Sequence, residues 1–242
     1  DKLVVNALSV KREAIFYNDV KPDDISVVGV PHYDRYIEEP RSSKAETFRQ
    51  LNLDPYRRTV FFAPPSDIYS KNNQASLQII KALSQFDIQL VVRPYIVGKV
   101  NLDGIEAVPN KIAIDKPETG SSFREAELTL GDRHLADLLY HSDIVLAFAS
   151  TLAIDSIVFG KPVVFIAFDD RPDRPYWESL RRFYDYDHQS AVIKTGGVRV
   201  ARSLPELIDY VFQYLNNPKM DEQGRKEVRE ARCFKLDGKS GE

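Results

Sequence analysis

The sequence predicts an α/β protein built on a parallel sheet with helices packed on both faces. Three observations predict it. The first is the stretch 142–170, SDIVLAFASTLAIDSIVFGKPVVFIAFDD, which reads as strand, tight polar turn, helix and second strand. The second is the alternation of short β-rich runs with helical patterns over most of the 242 residues, with no repeat and no low-complexity tract. The third is composition: with 43% hydrophobic and 29% charged residues, the chain can build a core for one large or two small domains.

Composition also excludes several classes. The 33 basic and 36 acidic residues leave a net charge of −3, and no basic run is long enough for a general nucleic-acid binder. A single cysteine, Cys233, rules out an intramolecular disulfide and fits a reducing compartment. The spacings CxxC and HExxH are absent, which argues against a structural zinc site or zincin chemistry, and no metal is expected. The longest apolar stretch is broken by Asp155 and by Gly160-Lys161, too early to span a bilayer. A cytoplasmic protein is expected, with at most a peripheral contact at the inner face of the membrane.

Taken in order, the elements follow from local signals. A strand over 3–6 leads to a helix over 9–18 that Ser9 could cap, then a turn at Pro22 and a strand over 25–28 that ends in Gly29-Val30-Pro31-His32-Tyr33-Asp34. His32 reads as a surface residue. A helix over 42–51, closed before Pro55, precedes a strand over 59–63 and the loop Pro64-Pro65-Ser66-Asp67. A helix over 75–86 and a strand over 88–92 end at Arg93-Pro94. Short β-like runs between 97 and 116 give way to the polar segment 120–127, a loop of the kind that carries function. Asp132 opens and caps a helix running to about 141, with His134 one turn inside it.

In the central stretch, Ser150 or Thr151 is a natural N-cap, and a helix entering from the carboxyl end of a strand offers N–H groups and partial positive charge to an anion. Asp155 follows near the start of an otherwise apolar helix, where a carboxylate can accept from a ribose diol. The same residues also suit a plain strand–helix–strand unit, since a cap and an early acidic residue favour any helix. Gly160 closes the helix and Pro162 prevents its continuation. Beyond 168 the chain turns aromatic and charged, with a helix expected over 175–184. Strands over 191–194 and 198–201 flank the turn Thr195-Gly196-Gly197. Ser203 caps a helix over 204–215, and a charged helix runs from 218 to about 233.

The order hydroxyl pair, acidic residue, then Gly160-Lys161-Pro162 before a buried strand resembles the donor-nucleotide motif in the C-terminal domain of GT-B glycosyltransferases. It is especially similar to surface-carbohydrate transferases related to CDP-glycerol glycerophosphotransferases and to UDP-N-acetylglucosamine 2-epimerases. Gly29-x-Pro31-x-x-Asp34 is similar to the junction at which GT-B chains enter that domain. The resemblance implies a Rossmann-like fold over 41–242, truncated before its closing helix, with 1–40 leading in from an absent N-terminal domain. It implies that Ser150, Thr151, Arg93 and Ser66 surround the donor phosphates, that Asp155 takes the ribose, and that His134 reaches a base or phosphate. Relatives of the glycerophosphotransferase type carry His-Pro where this chain has Arg93-Pro94, a change that keeps an anion-binding charge and puts a histidine role at that position in doubt.

The segment 169–188 has two readings, an interface with the absent domain or a wall for the acceptor. In the second, Asp169 and Asp170 accept from sugar hydroxyls, and Tyr184-Asp185-Tyr186-Asp187-His188 resembles the Tyr-Asp-Tyr-x-His pattern of the surface-carbohydrate group, with His188 as its histidine. The implied reaction is metal-independent transfer from a nucleotide-sugar donor to a carbohydrate or lipid-linked acceptor, with the base supplied by the N-terminal domain and no cofactor or nucleic-acid partner. A 2-epimerase, a glycerophosphotransferase and an inactive interaction module share the same scaffold.

Overall fold

The computed structural model describes residues 2–38, 41–95, 99–116 and 131–240. The first unit is a small parallel pair, β1 (Leu3–Val5) and β2 (Ile25–Val27), joined through helix α1 (Leu8–Asn18). Helix α1 begins one residue earlier than expected, with Ala7 at its N-cap position, so Ser9 lies inside the helix and its buried hydroxyl makes no capping bond. Helix α2 (Pro31–Glu38) follows the Gly29–Asp34 motif, and α3 (Lys44–Arg49) is opened by Ser43, which forms a reciprocal capping box with Glu46.

The main sheet then alternates strand and helix: β3 (Thr59–Ala63), α4 (Ala75–Leu83), β4 (Gln89–Val92), β5 (Ile112–Ile114), α5 (Gly131–His141), β6 (Ile144–Ala147), α6 (Leu152–Val158), β7 (Val163–Ile166), α7 (Asp187–Lys194), β8 (Arg199–Ala201), α8 (Leu204–Asn216) and α9 (Glu222–Cys233). Its six strands lie in the order β5-β4-β3-β6-β7-β8, and each neighbouring pair is parallel. This is the doubly wound order, in which the chain starts at the centre, builds outward in one direction, and returns to build in the other.

Strand period explains the two cores. Phe61, Val91, Val145 and Phe165 point to one face, where Phe48, Leu138, Leu139, Ile157 and Val228 cover them from α3, α5, α6 and α9. Their neighbours Val60, Phe62, Leu90, Leu146 and Val164 point to the other, against Ile79, Ile80, Leu83, Leu207 and Val211 of α4 and α8. Strands buried on both faces read as unbroken apolar runs, which is why 59–63, 88–92, 144–148 and the run after Pro162 were legible. Ser203 caps α8 through the Glu206 N–H, as its sequence position predicts.

Two expectations fail. Residues 191–194 belong to helix α7, because Gln189 and Val192, three apart, are the positions turned inward. The expected helix over 175–184 is two 3-10 stretches, Tyr176–Glu178 and Leu180–Asp185. Ser179 divides them: it is extended (φ −78°, ψ 145°), fully buried, and its hydroxyl accepts from Arg181 N–H while donating to Asp169. The side chain of Asp132 and the segment 120–127 lie outside the described residues.

The ends of the described chain meet. Asp34 accepts from both the backbone N–H and the hydroxyl of Ser240, at 2.9 and 2.8 Å. Gly29, with φ +96°, lies against the same serine, and a Cβ there would stand 2.6 Å from its hydroxyl oxygen. Helix α9 packs on α6 and also touches α1, tying the small sheet to the large one.

Candidate functional site

The loops at the carboxyl ends of the strands carry most residues singled out above, and the order of the sheet reverses between β3 and β6, where such folds leave a crevice. Beside it, Arg93 follows β4 and Asp115 follows β5. Backbone bonds from Arg93 N–H to Phe62 O and from Asp115 N–H to Val92 O extend the ladders by one residue and fix where both side chains start. Arg93 Nη1 donates to Asp115 Oδ2, and His134 Nε2, from the first turn of α5, lies 3.0 Å from Asp115 Oδ1. Burial alone would raise the Asp115 pKa; the bonds from His134 and Arg93 outweigh it and hold the carboxyl below its ordinary value. The sequence points to Arg93 and His134 separately. Asp115 was missed, although an acidic residue closing the apolar run 112–114 was a usable signal.

The β6–α6 turn is tighter than the capping expectation. Ser150 Oγ accepts from Leu152 N–H at 3.2 Å, while Thr151 occupies the N-cap position in helical geometry and its side chain caps nothing. The N–H groups of Ala153, Ile154 and Asp155 donate to Ser150 and Thr151 carbonyls. First-turn donors are therefore satisfied within the turn, and the features left toward solvent are the exposed Thr151 and the positive end of the helix. Asp155 is half-buried and faces α2 and α9: the Tyr33 hydroxyl hydrogen-bonds to it, and burial together with that carboxylate holds the phenol far above its ordinary range. The Cys233 thiol, buried against the same carboxylate, is pushed up to about 12. A diol approaching Asp155 would share it with Tyr33.

The remaining residues are spread along the rim. Ser66 is buried, and its hydroxyl oxygen accepts from Ile68 N–H inside the β3–α4 loop. Asp169 is almost fully buried and holds the β7–α7 loop together: one oxygen takes Asn73 Nδ2 at 2.7 Å and Leu180 N–H at 3.1 Å, the other takes the Ser179 hydroxyl. Asp170 accepts from Arg174 Nη2 at 2.9 Å and keeps some exposure. His188 is exposed on α7, its ring tilted against Tyr186. A line of rings, Tyr95, Tyr69, Phe148, Phe183 and Tyr186, runs between these loops with centroid distances of 4.9 to 6.2 Å. Among the described residues, no group of three or more His, Cys, Asp or Glu is arranged to hold a metal ion, and no helix is long and apolar enough to cross a membrane.

No protein-family model and no curated protein matches this sequence. Solved structures do match in fold. The wall teichoic acid polymerase TagF superposes over 98% of this chain with a TM-score of 0.63 at 14% identity, and 54% of that chain is covered. A UDP-GlcNAc 2-epimerase from Methanocaldococcus jannaschii matches over 94% of this chain and 61% of its own, with a TM-score of 0.57 at 13% identity. A glycosyltransferase from Rickettsia africae ESF-5 matches over 98% and 60%, with a TM-score of 0.51 at 16% identity. The chain thus spans between half and two thirds of the structures it matches. With its doubly wound six-stranded sheet and helices on both faces, the chain has the GT-B-type fold of these transferases and epimerases.

Proposed function

We propose that this chain binds the nucleotide diphosphate of a sugar donor as one half of a glycosyltransferase of surface-polysaccharide synthesis. A preceding domain, reached through residues 1–40, would supply the catalytic base, and the acceptor would be a carbohydrate or a lipid-linked carbohydrate at the inner face of the membrane. The observation that carries the reading is the gathering of Arg93, Asp115 and His134 at the carboxyl edge, beside the point where the strand order reverses. Asp115 engages one terminal nitrogen of the Arg93 guanidinium and holds the fork in place, and a guanidinium can pair with a phosphate through two bonds.

In the transfer, the acceptor oxygen bonds to the anomeric carbon as the bond to the diphosphate breaks, and the diphosphate leaves with the electron pair. Arg93 and the positive end of α6 stabilise the charge that grows there, while the acceptor proton passes to the base. A 2-epimerase would use the same contacts and form its product from the donor alone. A second reading draws on His134. Transfer of a CDP-glycerol-type phosphoryl group would proceed by attack at phosphorus with loss of CMP; the resembling glycerophosphotransferases often carry a phosphate-contacting histidine at position 93, and here His134 brings an imidazole to this corner although position 93 is arginine.

Calorimetric titration with UDP, CDP, GDP and CMP tests the proposal. One diphosphate is expected to bind, with Arg93→Ala weakening it about tenfold or more, the range of a lost charge-assisted bond, and Asp155→Ala weakening it as well. Tightest binding of CMP would favour the phosphoryl-transfer reading. Flat titrations of a folded chain with all four nucleotides would sink both and favour an interaction module working through the 176–188 surface.

A further inference from the structure

A cavity of about 640 Å³ opens between the β3–α4 loop and the β7–α7 loop. It stands over β7 and the end of β3, whereas Arg93 and His134 stand over β4 and β5. Its walls are tied to each other. Arg174, 6% exposed, donates to the carbonyls of Lys71 and Asn72 at 3.0 and 3.3 Å and to Asp170. Ser70 Oγ donates to Glu178 O at 2.9 Å, and Arg182 Nη2 to Tyr69 O at 2.9 Å. Arg174 Nε is buried without a hydrogen-bond partner in the structure, 3.8 Å from Asp169. Two loops cross-linked through a buried guanidinium keep one shape, and so keep one arrangement of whatever they present to solvent.

What they present is specific in chemistry. Trp177 is 72% exposed and lines the cavity, a flat apolar face held open to water on a rigid loop. Asn72, Gln74 and Glu178 line the same cavity, and their side chains carry amides and a carboxylate that suit the hydroxyls of a polyol. Lys71 and Arg171 add positive charge; Arg171 has the exposed Asp173 at 3.7 Å, and Asp170, also facing the cavity, is held by Arg174. We propose that this cavity binds a sugar ring that bears one acidic group, a carboxylate or a phosphate. The ring face lies on the Trp177 indole, the hydroxyls meet Asn72, Gln74 and Glu178, and the acid lies toward Lys71 and Arg171. Its role as the acceptor end of a transfer rests on the function proposed above; its binding chemistry does not.

The chain contains one tryptophan, so its fluorescence reports on this cavity directly. The protein is titrated at low salt with glucuronate, glucose 6-phosphate, glucose and inorganic phosphate. A saturable change in Trp177 emission is expected with at least one of the two sugar acids, glucuronate alone marking a carboxylate ligand and glucose 6-phosphate alone a phosphate ligand. Glucose should bind about fivefold more weakly, and Lys71→Ala or Arg171→Ala should weaken the acid about as much, the scale of an exposed ion pair. Inorganic phosphate should leave the emission unchanged. An emission unmoved by both sugar acids, or moved equally in wild type and both variants, overturns the proposal. So does a nucleoside diphosphate that alters Trp177 emission and displaces the sugar acid. Calorimetry with nucleotide runs in parallel on Trp177→Ala. Nucleotide binding with no sugar-acid response defeats this inference alone, and a sugar-acid response without nucleotide binding defeats the donor-site reading alone.

Discussion

Asp115 shows how much one carboxylate can decide. It sits between a guanidinium and an imidazole at the end of β5, and its carboxyl is held below the ordinary carboxylate value of 3.8. A lowered pKa means that the stabilisation is present above that value and is lost as pH falls through the folded pKa. Asp115→Asn should therefore destabilise the protein by about 1–3 kcal/mol at neutral pH, since Arg93 loses its counter-charge. It should also flatten the acid limb of a denaturation profile below pH 3.8; a variant profile parallel to wild type would count against this role. Arg93 and His134 were each legible, one as a strand-end arginine and one as a histidine near a helix start. Their meeting was not, because only the pairing of β4 with β5 and the packing of α5 bring the three residues together. Asp155 has the same history. Its place near a helix start could be read from the sequence, but the Tyr33 hydroxyl on it could not.

Among elements, α9 is the one whose local chemistry and tertiary setting disagree. Gly224 lies inside it, and helix propensity alone would favour alanine there by about 1 kcal/mol. In the fold, however, a Cβ at Gly224 would stand 2.4 Å from Gly197 N and 2.5 Å from Thr195 O, backbone atoms of the turn that faces it. Gly224→Ala is expected to destabilise by about 1–3 kcal/mol, as overpacking does. Thermal unfolding would check this, and a raised Tm would refute the packing argument. The turn at 195–197 was legible as a glycine turn, while the glycine it faces lay in an ordinary charged helical pattern. The misread stretches share this cause. Helix α7 and the broken 175–184 segment are set by which few side chains the core accepts, and by Ser179 serving Asp169, neither of which is a local property.

At the scale of the molecule, the first and last described segments are joined through Asp34 and Ser240, and α9 spans from α6 to α1. Asp34→Ala should release the tail. Amide exchange at Ser240, which donates to that carboxylate, should rise about tenfold or more while Tm changes little, since terminal openings are low-energy events. Unchanged protection there would show that Gly29 packing suffices without the carboxylate. The small β1–α1–β2 unit leaves Val4 of β1 and Phe16 and Tyr17 of α1 exposed, and two strands are marginal by themselves.

The architecture was readable along the chain: continuous apolar runs mark strands buried on both faces, and the helices between them require a parallel sheet. The sequence also placed Arg93, Ser150, Thr151, Asp169 and Asp170 at strand ends. Folding sets which residues share an environment: Arg93 with His134 through Asp115, Asp155 with Tyr33, and Asp169 inside the loop scaffold. The two differ in range. Strand and helix signals are local and recur within a few residues, whereas a site is made of side chains whose neighbours are chosen by strand order and helix packing.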